Sequence, residues 1–257
     1  MEIALGFIIS VFIALTGVGA GSLTTPLLIL LVGLPVKECV GTALIFATVV
    51  KVVTVPSYVA RQQVNWRVFT YLTATGLPGV IGGAFLMKKL PTDLVMGCVG
   101  ITIASITLVN LFRFAHVVQH DRTRWLGPLG LLIGLETGFS SAGAGAIGAL
   151  AMMSLTTLST AEIVGTNLTF GLALSAVGGL IHAGLGDVNR AVLWKLLIGG
   201  VAGAIAGASF ASRIESKKLR FALCLALVYI GVQLSWTSFS KMYVSAAGPA
   251  SVAPAAK

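Results

Sequence analysis

Eight stretches of this chain run almost without charge: 3–32, 39–60 (interrupted by Lys51), 68–87, 94–112, 126–156 (holding Glu136), 163–186, 191–211 (holding Lys195) and 219–240. Most approach the ~20 residues that a helix needs to cross a bilayer. Transmembrane strands would instead alternate polar and apolar residues over about ten positions. Only 10% of the 257 residues are charged and 56% are hydrophobic, against about 25% charged in a soluble domain. The pattern predicts an all-α polytopic membrane protein with lipid as its solvent. The opening MEIALGF carries Glu2 and no basic flank, so the first stretch reads as structure and not as a signal peptide.

The net charge of +9 comes from basic residues scattered through short connections. They read as topology signals and headgroup contacts, not as a nucleic-acid surface. Cys39, Cys98 and Cys224 stand singly in apolar segments and read as small hydrophobes. His116 and His120 have helical metal-ligand spacing but fall in a polar linker, and no metal or other cofactor is expected. There is no phosphate loop with its lysine, nucleophile elbow, HExxH or CxxC, so neither an ATP-driven pump nor a soluble-type active site is indicated.

A shift of 124 positions lays the chain on itself without a gap, carrying Gly19, Ala20 and Gly21 onto Gly143, Ala144 and Gly145. Glu38 falls on Glu162, Val40-Gly41-Thr42 on Val164-Gly165-Thr166, Val64-Asn65 on Val188-Asn189, and Gly76, Gly79 and Gly83 on Gly200, Gly203 and Gly207. Apolar coincidences are cheap here; shared Glu, Asn and Gly-Thr are not. The chain therefore divides into a first repeat 1–112, a polar linker 113–124, a second repeat 125–240 and a disordered tail 241–257, with about four apolar segments per repeat. Two-fold repeats of this kind are a usual plan of secondary transporters.

Each repeat opens with a segment broken by glycine, GVGAGS at 17–22 and SAGAG at 141–145. As one straight helix, residues 3–32 would be about 45 Å long, too long for a hydrocarbon core of ~30 Å. Either the helix tilts and kinks, giving eight crossings and a parallel repeat, or two half-helices form a re-entrant hairpin, giving an inverted repeat. The hairpin arrangement gathers Arg61, Arg67, Arg113, Arg122, Arg124, Arg213, Lys217, Lys218 and Arg220 on one side, and the positive-inside rule favours it. It places both termini outside and the linker in the cytoplasm.

Broken helices persist in a bilayer only where protein or a water-filled cavity covers them, and the helix after a break offers free N–H groups to an anion. Gly19, Ala20, Gly21 and Ser22, with Gly143, Ala144 and Gly145, are accordingly candidate anion-binding positions, with close helix packing as the alternative. Thr42, Thr166 and Asn167 are candidates to line the cavity. Glu38 and Glu162 read as helix-start carboxylates or coupling groups. Lys51, deep in an apolar run, supplies charge to the site or snorkels to the interface. Glu136 stands where the first repeat has Phe12 and could carry a proton or pair with a lysine; His182 and Lys195 lie near span ends and read as interfacial.

The set GVGAG, Pro26, Leu34-Pro35, Val40-Gly41-Thr42-Ala43, Val64-Asn65-Trp66-Arg67 and Gly76-x-Pro78-Gly79-x-x-Gly82-Gly83, with a weaker second copy, resembles the TauE/SafE family of membrane permeases over residues 1–240. The resemblance implies export, or in some members uptake, of small sulfur-containing anions such as sulfite, sulfonates or sulfoacetate, coupled to an ion gradient. Ala20 and Ser141 depart from the family's glycine pattern, which bears on substrate more than on fold. The expectation is an ion-coupled (H+ or Na+) secondary transporter of the cytoplasmic membrane, not an enzyme, working by alternating access. The bilayer and a small anion are its partners, with oligomeric state left open, a homodimer included. An anion channel with the same glycine-lined site is the chief rival. An intramembrane enzyme using Glu136 or His182 is disfavoured, since neither residue is duplicated, and buried breaks argue against a scaffold.

Overall fold

A computed structural model describes residues 1–16, 20–113 and 125–210, together with Val232 and Trp236. The linker from 114, most of the segment 219–240 and the tail, with His116, His120 and Cys224, lie outside the described residues. The described chain is helical throughout: α1 Glu2–Thr16, α2 Ala20–Leu27 running into a π-helical turn Leu28–Val32, α3 Val36–Ala60, α4 Trp66–Lys89, α5 Thr92–Arg113, α6 Leu126–Ser140, α7 Gly143–Leu155, α8 Thr160–Gly184 and α9 Arg190–Phe210.

Helix ends follow local chemistry. Asn65 caps α4 by accepting from Val68 N at 3.1 Å, and Asn189 does the same for Val192 N at 3.1 Å. Ser159 and Glu162 close a capping box at the start of α8. Lys37 reaches the far end of α4, donating to Leu90 O at 3.1 Å, where free carbonyls favour a cation.

Four helices, α3, α4, α8 and Arg190–Gly207 of α9, are long and apolar enough to cross a membrane. With 15, 15 and 13 residues, α1, α6 and α7 extend only about 20 Å each, short of the ~30 Å core. The exposed apolar side chains include Phe7, Ile8, Val52, Phe85, Leu132, Leu180, Ile198 and Ile205; such a surface suits lipid and not water. Trp66, Trp125 and Trp194 lie exposed near helix starts, where indole rings favour the interface.

The half-length helices lean on long ones through glycines. Gly130, Gly134 and Gly138 of α6 lie against Leu72, Gly76 and Val80 of α4, backbone to backbone. Along α1 and α9, Gly199, Gly203 and Gly207 lie against Ile3, Phe7 and Val11. In both pairs the residue numbers rise together, so the helices run parallel. At the centre α3 and α8 cross antiparallel, with Gly178 on Leu44, Gly171 on Lys51 and Gly165 on Tyr58.

Contacts recur at the shift of 124. Thr42 Oγ1 accepts from Asn189 N at 3.0 Å and Thr166 Oγ1 from Asn65 N at 2.9 Å. The buried Phe46 ring covers Gly200, and the Phe170 ring covers Gly76. Tyr58 donates to Ala14 O at 3.2 Å, while His182 Nε2 bonds Gly138 O at 2.9 Å. The loops after α3 and α8 both turn through a left-handed residue, Gln62 at φ 55° and Gly186 at φ 82°.

These loops yield two predictions. A side chain in the left-handed region costs about 1 kcal/mol or more, and no neighbour crowds Gly186. Gly186→Ala should therefore lower stability by about that much, while Gln62→Gly should not, as thermal unfolding in detergent would show. Thr166→Val leaves the Asn65 amide without its acceptor and should cost about 1–3 kcal/mol; Thr166→Ser should recover most of it, read by the same melts.

Candidate functional site

The second break begins with α6 ending at Ser140 and Ser141 turning left-handed at φ 66°. The chain then doubles back. A side-chain carbon on Gly143 would lie 2.6 Å from Ile133 O and 2.9 Å from Thr137 Oγ1, residues that a continuous helix would carry about 10–15 Å away. Helix α7 thus starts inside the protein and runs back alongside α6. Its start, Gly143-Ala144-Gly145, is buried, and the first N–H groups of any helix have no partner within it.

The first break meets this point. Gly21 lies on the backbone of Ser141, with room for no side chain between them, and Thr25 Oγ1 and Ser141 Oγ share a hydrogen bond of 2.7 Å. Gly19 lies outside the described residues; Ala20 and Ser22 are placed by their backbone in α2. From α8, Asn167 Nδ2 donates to Gly145 O at 2.8 Å, so Asn167 holds the first turn of α7.

Lys51 comes to the same place from α3. It is only 3% exposed, so it does not snorkel to an interface. Its ammonium lies where a side chain on Gly171 would be, 2.6 Å from that carbon position, which is itself 3.6 Å from Ala144 Cβ. Sequence reasoning did not single out Gly171. The available signal was a pair of departures at the shift of 124: Gly171 stands where the first half has Ala47, and Lys51 where the second half has Ser175. A lysine crossing to the opposite helix needs the glycine to make room.

No hydrogen bond or ion pair reaches the Lys51 ammonium among the described residues. Leaving an ion unpaired in a protein interior costs several kcal/mol. The partial positive charge at the start of α7 lies close to it.

Glu136 lies one turn before the break. Its Oε1 accepts from the Ser140 hydroxyl, and its Oε2 reaches toward Gly143, 2.5 Å from the position of a side-chain carbon there. It forms no ion pair with Lys51 among the described residues.

The other expected site residues are placed elsewhere. Thr42 and Thr166 stand at opposite ends of the α3–α8 pair with their hydroxyls bonded to loop amides; neither is brought to the breaks. A hydroxyl one turn into a helix is within reach of a loop folded over that helix start, and the loop amide takes it. Glu38 accepts from Asn189 Nδ2 at 3.1 Å, and Glu162 bonds Ser159 on an exposed helix end. His182 is fully buried, not interfacial, because Asp187 Oδ2 at 3.2 Å and Gly138 O flank its two ring nitrogens. Lys195 is half exposed and pairs with Glu2 at 3.5 Å. No group of three metal-ligating side chains occurs among the described residues.

Comparison with known proteins agrees with a transport architecture. Residues 2–234 match the family described as Sulfite exporter TauE/SafE. The chain is 25% identical over 249 residues to the probable membrane transporter protein YjnA of Bacillus subtilis, covering 90% of this chain and 98% of that one. It is 24% identical to the probable membrane transporter protein YdhB of the same organism, covering 89% and 96%. It is 22% identical to a probable membrane transporter protein of Xylella fastidiosa (strain Temecula1), covering 94% and 97%. No solved structure matches. With nearly its whole length matched and its surface built of apolar helices, the chain belongs to the TauE/SafE family and is a multi-pass membrane transporter, not an enzyme.

Proposed function

We propose that this transporter carries a small sulfur-containing anion, such as sulfite, a sulfonate or sulfoacetate, across the cytoplasmic membrane, coupled to an ion and by alternating access. The observation that carries the reading is the buried, unpaired Lys51 ammonium beside the N-terminus of α7. Two positive groups held close together favour a bound anion, which the first N–H groups of α7 would receive.

Alternating access is supported by the arrangement of the halves. Helices α1, α3 and α4 have their counterparts in α6, α8 and α9 at the shift of 124. Since α3 runs antiparallel to α8, α4 parallel to α6 and α1 parallel to α9, each helix points opposite to its counterpart. We read this as an inverted repeat whose hairpins α1–α2 and α6–α7 enter from opposite faces and meet at Gly21 and Ser141. Rocking of one half against the other would open the meeting point to each side in turn. The family description points to sulfite; a dianion or a sulfonate suits the same charges.

The test is uptake of radiolabelled sulfite, thiosulfate and sulfoacetate into proteoliposomes, with and without an imposed ion gradient. Saturable, gradient-driven accumulation of one anion is the expected result. Equilibration without saturation would make the protein a channel, and no flux of any of the three would remove the anion assignment.

Lys51→Ala should weaken the apparent affinity at least tenfold, the loss expected for a charge-assisted hydrogen bond of about 1.5–3 kcal/mol, with Lys51→Arg retaining part of it. Gly21→Leu should abolish transport, because its side chain would collide with Ser141. Unchanged rates in either variant would leave the breaks with a packing role alone.

A further inference from the structure

The sequence offers Glu38, Glu136 and Glu162 as candidates to carry a coupling proton, and their surroundings separate them. Glu38 is bonded to Asn189 and Glu162 closes a capping box at an exposed helix end. Both carboxylates hold helix starts in place. Glu136 does not. Its Oε1 takes the Ser140 hydroxyl, while its Oε2 is buried and reaches the start of α7 at Gly143, with the Thr102 hydroxyl also close.

That is the helix start to which the anion site has been assigned. An ionised Glu136 and a bound anion would bring two like charges to one buried helix terminus, where each raises the free energy of the other. A protonated Glu136 would remove the repulsion. The ammonium of Lys51 approaches the same turn through Gly171 and Ala144 but makes no ion pair with Glu136.

Few other ionisable groups face this carboxylate. Helices α2 and α7 contain none. The groove of α4 against α6 is lined by Gly76, Gly79 and Gly83, while its ionisable residues Arg67, Tyr71, Lys88 and Lys89 lie toward its two ends. From α5, the Thr102 hydroxyl approaches. From α8, His182 touches α6 at Gly138 O and is held by Asp187.

We propose that Glu136 is the proton carrier of the transport cycle, competing in its ionised form with the substrate anion for the N-terminus of α7. The proposal rests on the anion-site reading above. In the cycle a proton from water on the loading side binds the carboxylate, the anion takes the vacated helix start beside Lys51, and both leave on the other side. One proton thus moves with each anion in the same direction, and an inward proton gradient drives uptake.

The experiment measures binding of thiosulfate and sulfoacetate, both fully ionised across the neutral range, by anion-induced thermal stabilisation of the purified full chain at a series of pH values. For the wild type, affinity should fall by about tenfold per pH unit once Glu136 is ionised, as linkage to one proton requires. Glu136→Gln, which keeps an oxygen for Ser140, should bind at every pH as the wild type does under acid conditions. It should also keep anion–anion exchange in proteoliposomes while losing pH-driven accumulation.

A second measurement on the wild type needs no variant. With an anion gradient imposed, a trapped pH dye should report one proton entering per anion. Anion binding with the same pH dependence in Glu136→Gln, or anion flux without proton movement, would overturn the proton-carrier role and leave the anion site standing. Failure of the wild type to bind either anion at any pH, with no flux of sulfite, would overturn the anion site and the carrier role with it.

Discussion

A helix that stops in the middle of a bilayer leaves peptide groups that lipid cannot satisfy, and those groups must be covered by protein, by water or by a ligand. Here the two interruptions cover each other. Gly21 lies directly on Ser141, and the Thr25 and Ser141 hydroxyls join across the contact. The rest of the arrangement can be derived from that meeting. Helices too short to span need long neighbours, so α6 lies along α4 and α1 along α9 with glycines between them. The crossing of α3 and α8 encloses the breaks from the sides, supplying Lys51 and Asn167.

Some contacts recur between the halves; at other positions the halves differ. The paired Thr–Asn bonds, the Phe–Gly contacts and the left-handed turns all have counterparts. Lys51 faces Gly171, whereas the corresponding Ser175 bonds only its own helix at Leu172 O. Glu136 replaces Phe12, and His182 with Asp187 replaces Tyr58 with Gln63. The recurring contacts form a frame common to both halves, and the charged residues set the halves apart.

Much of this was legible in the sequence because lipid restricts the choices so severely. Apolar length alone marked the long helices, and the break at 141–145 was marked by small residues that repeat those of the first segment. The repeated Glu, Gly-Thr and Asn also stood out, but their meaning did not. Thr42 and Thr166 read as cavity residues because a hydroxyl about one turn into a helix can face a cavity beneath a half-helix tip, yet each is bonded to a loop amide more than 100 positions away. Periodicity describes one helix at a time and is silent on which loop folds over it.

The sequence by itself determined that the chain is helical and built of apolar segments suited to a membrane, since both follow from residue type and spacing along one dimension. Tertiary structure alone decided that the two interruptions touch, that α7 starts in the interior, and that Lys51 is buried opposite Gly171. It also sorted the glutamates, placing Glu38 and Glu162 on helix ends and Glu136 at the break. The physical reason is that burial and electrostatic partnership depend on distances across the bundle. Lys51 and Gly171 are 120 positions apart along the chain and adjacent in space.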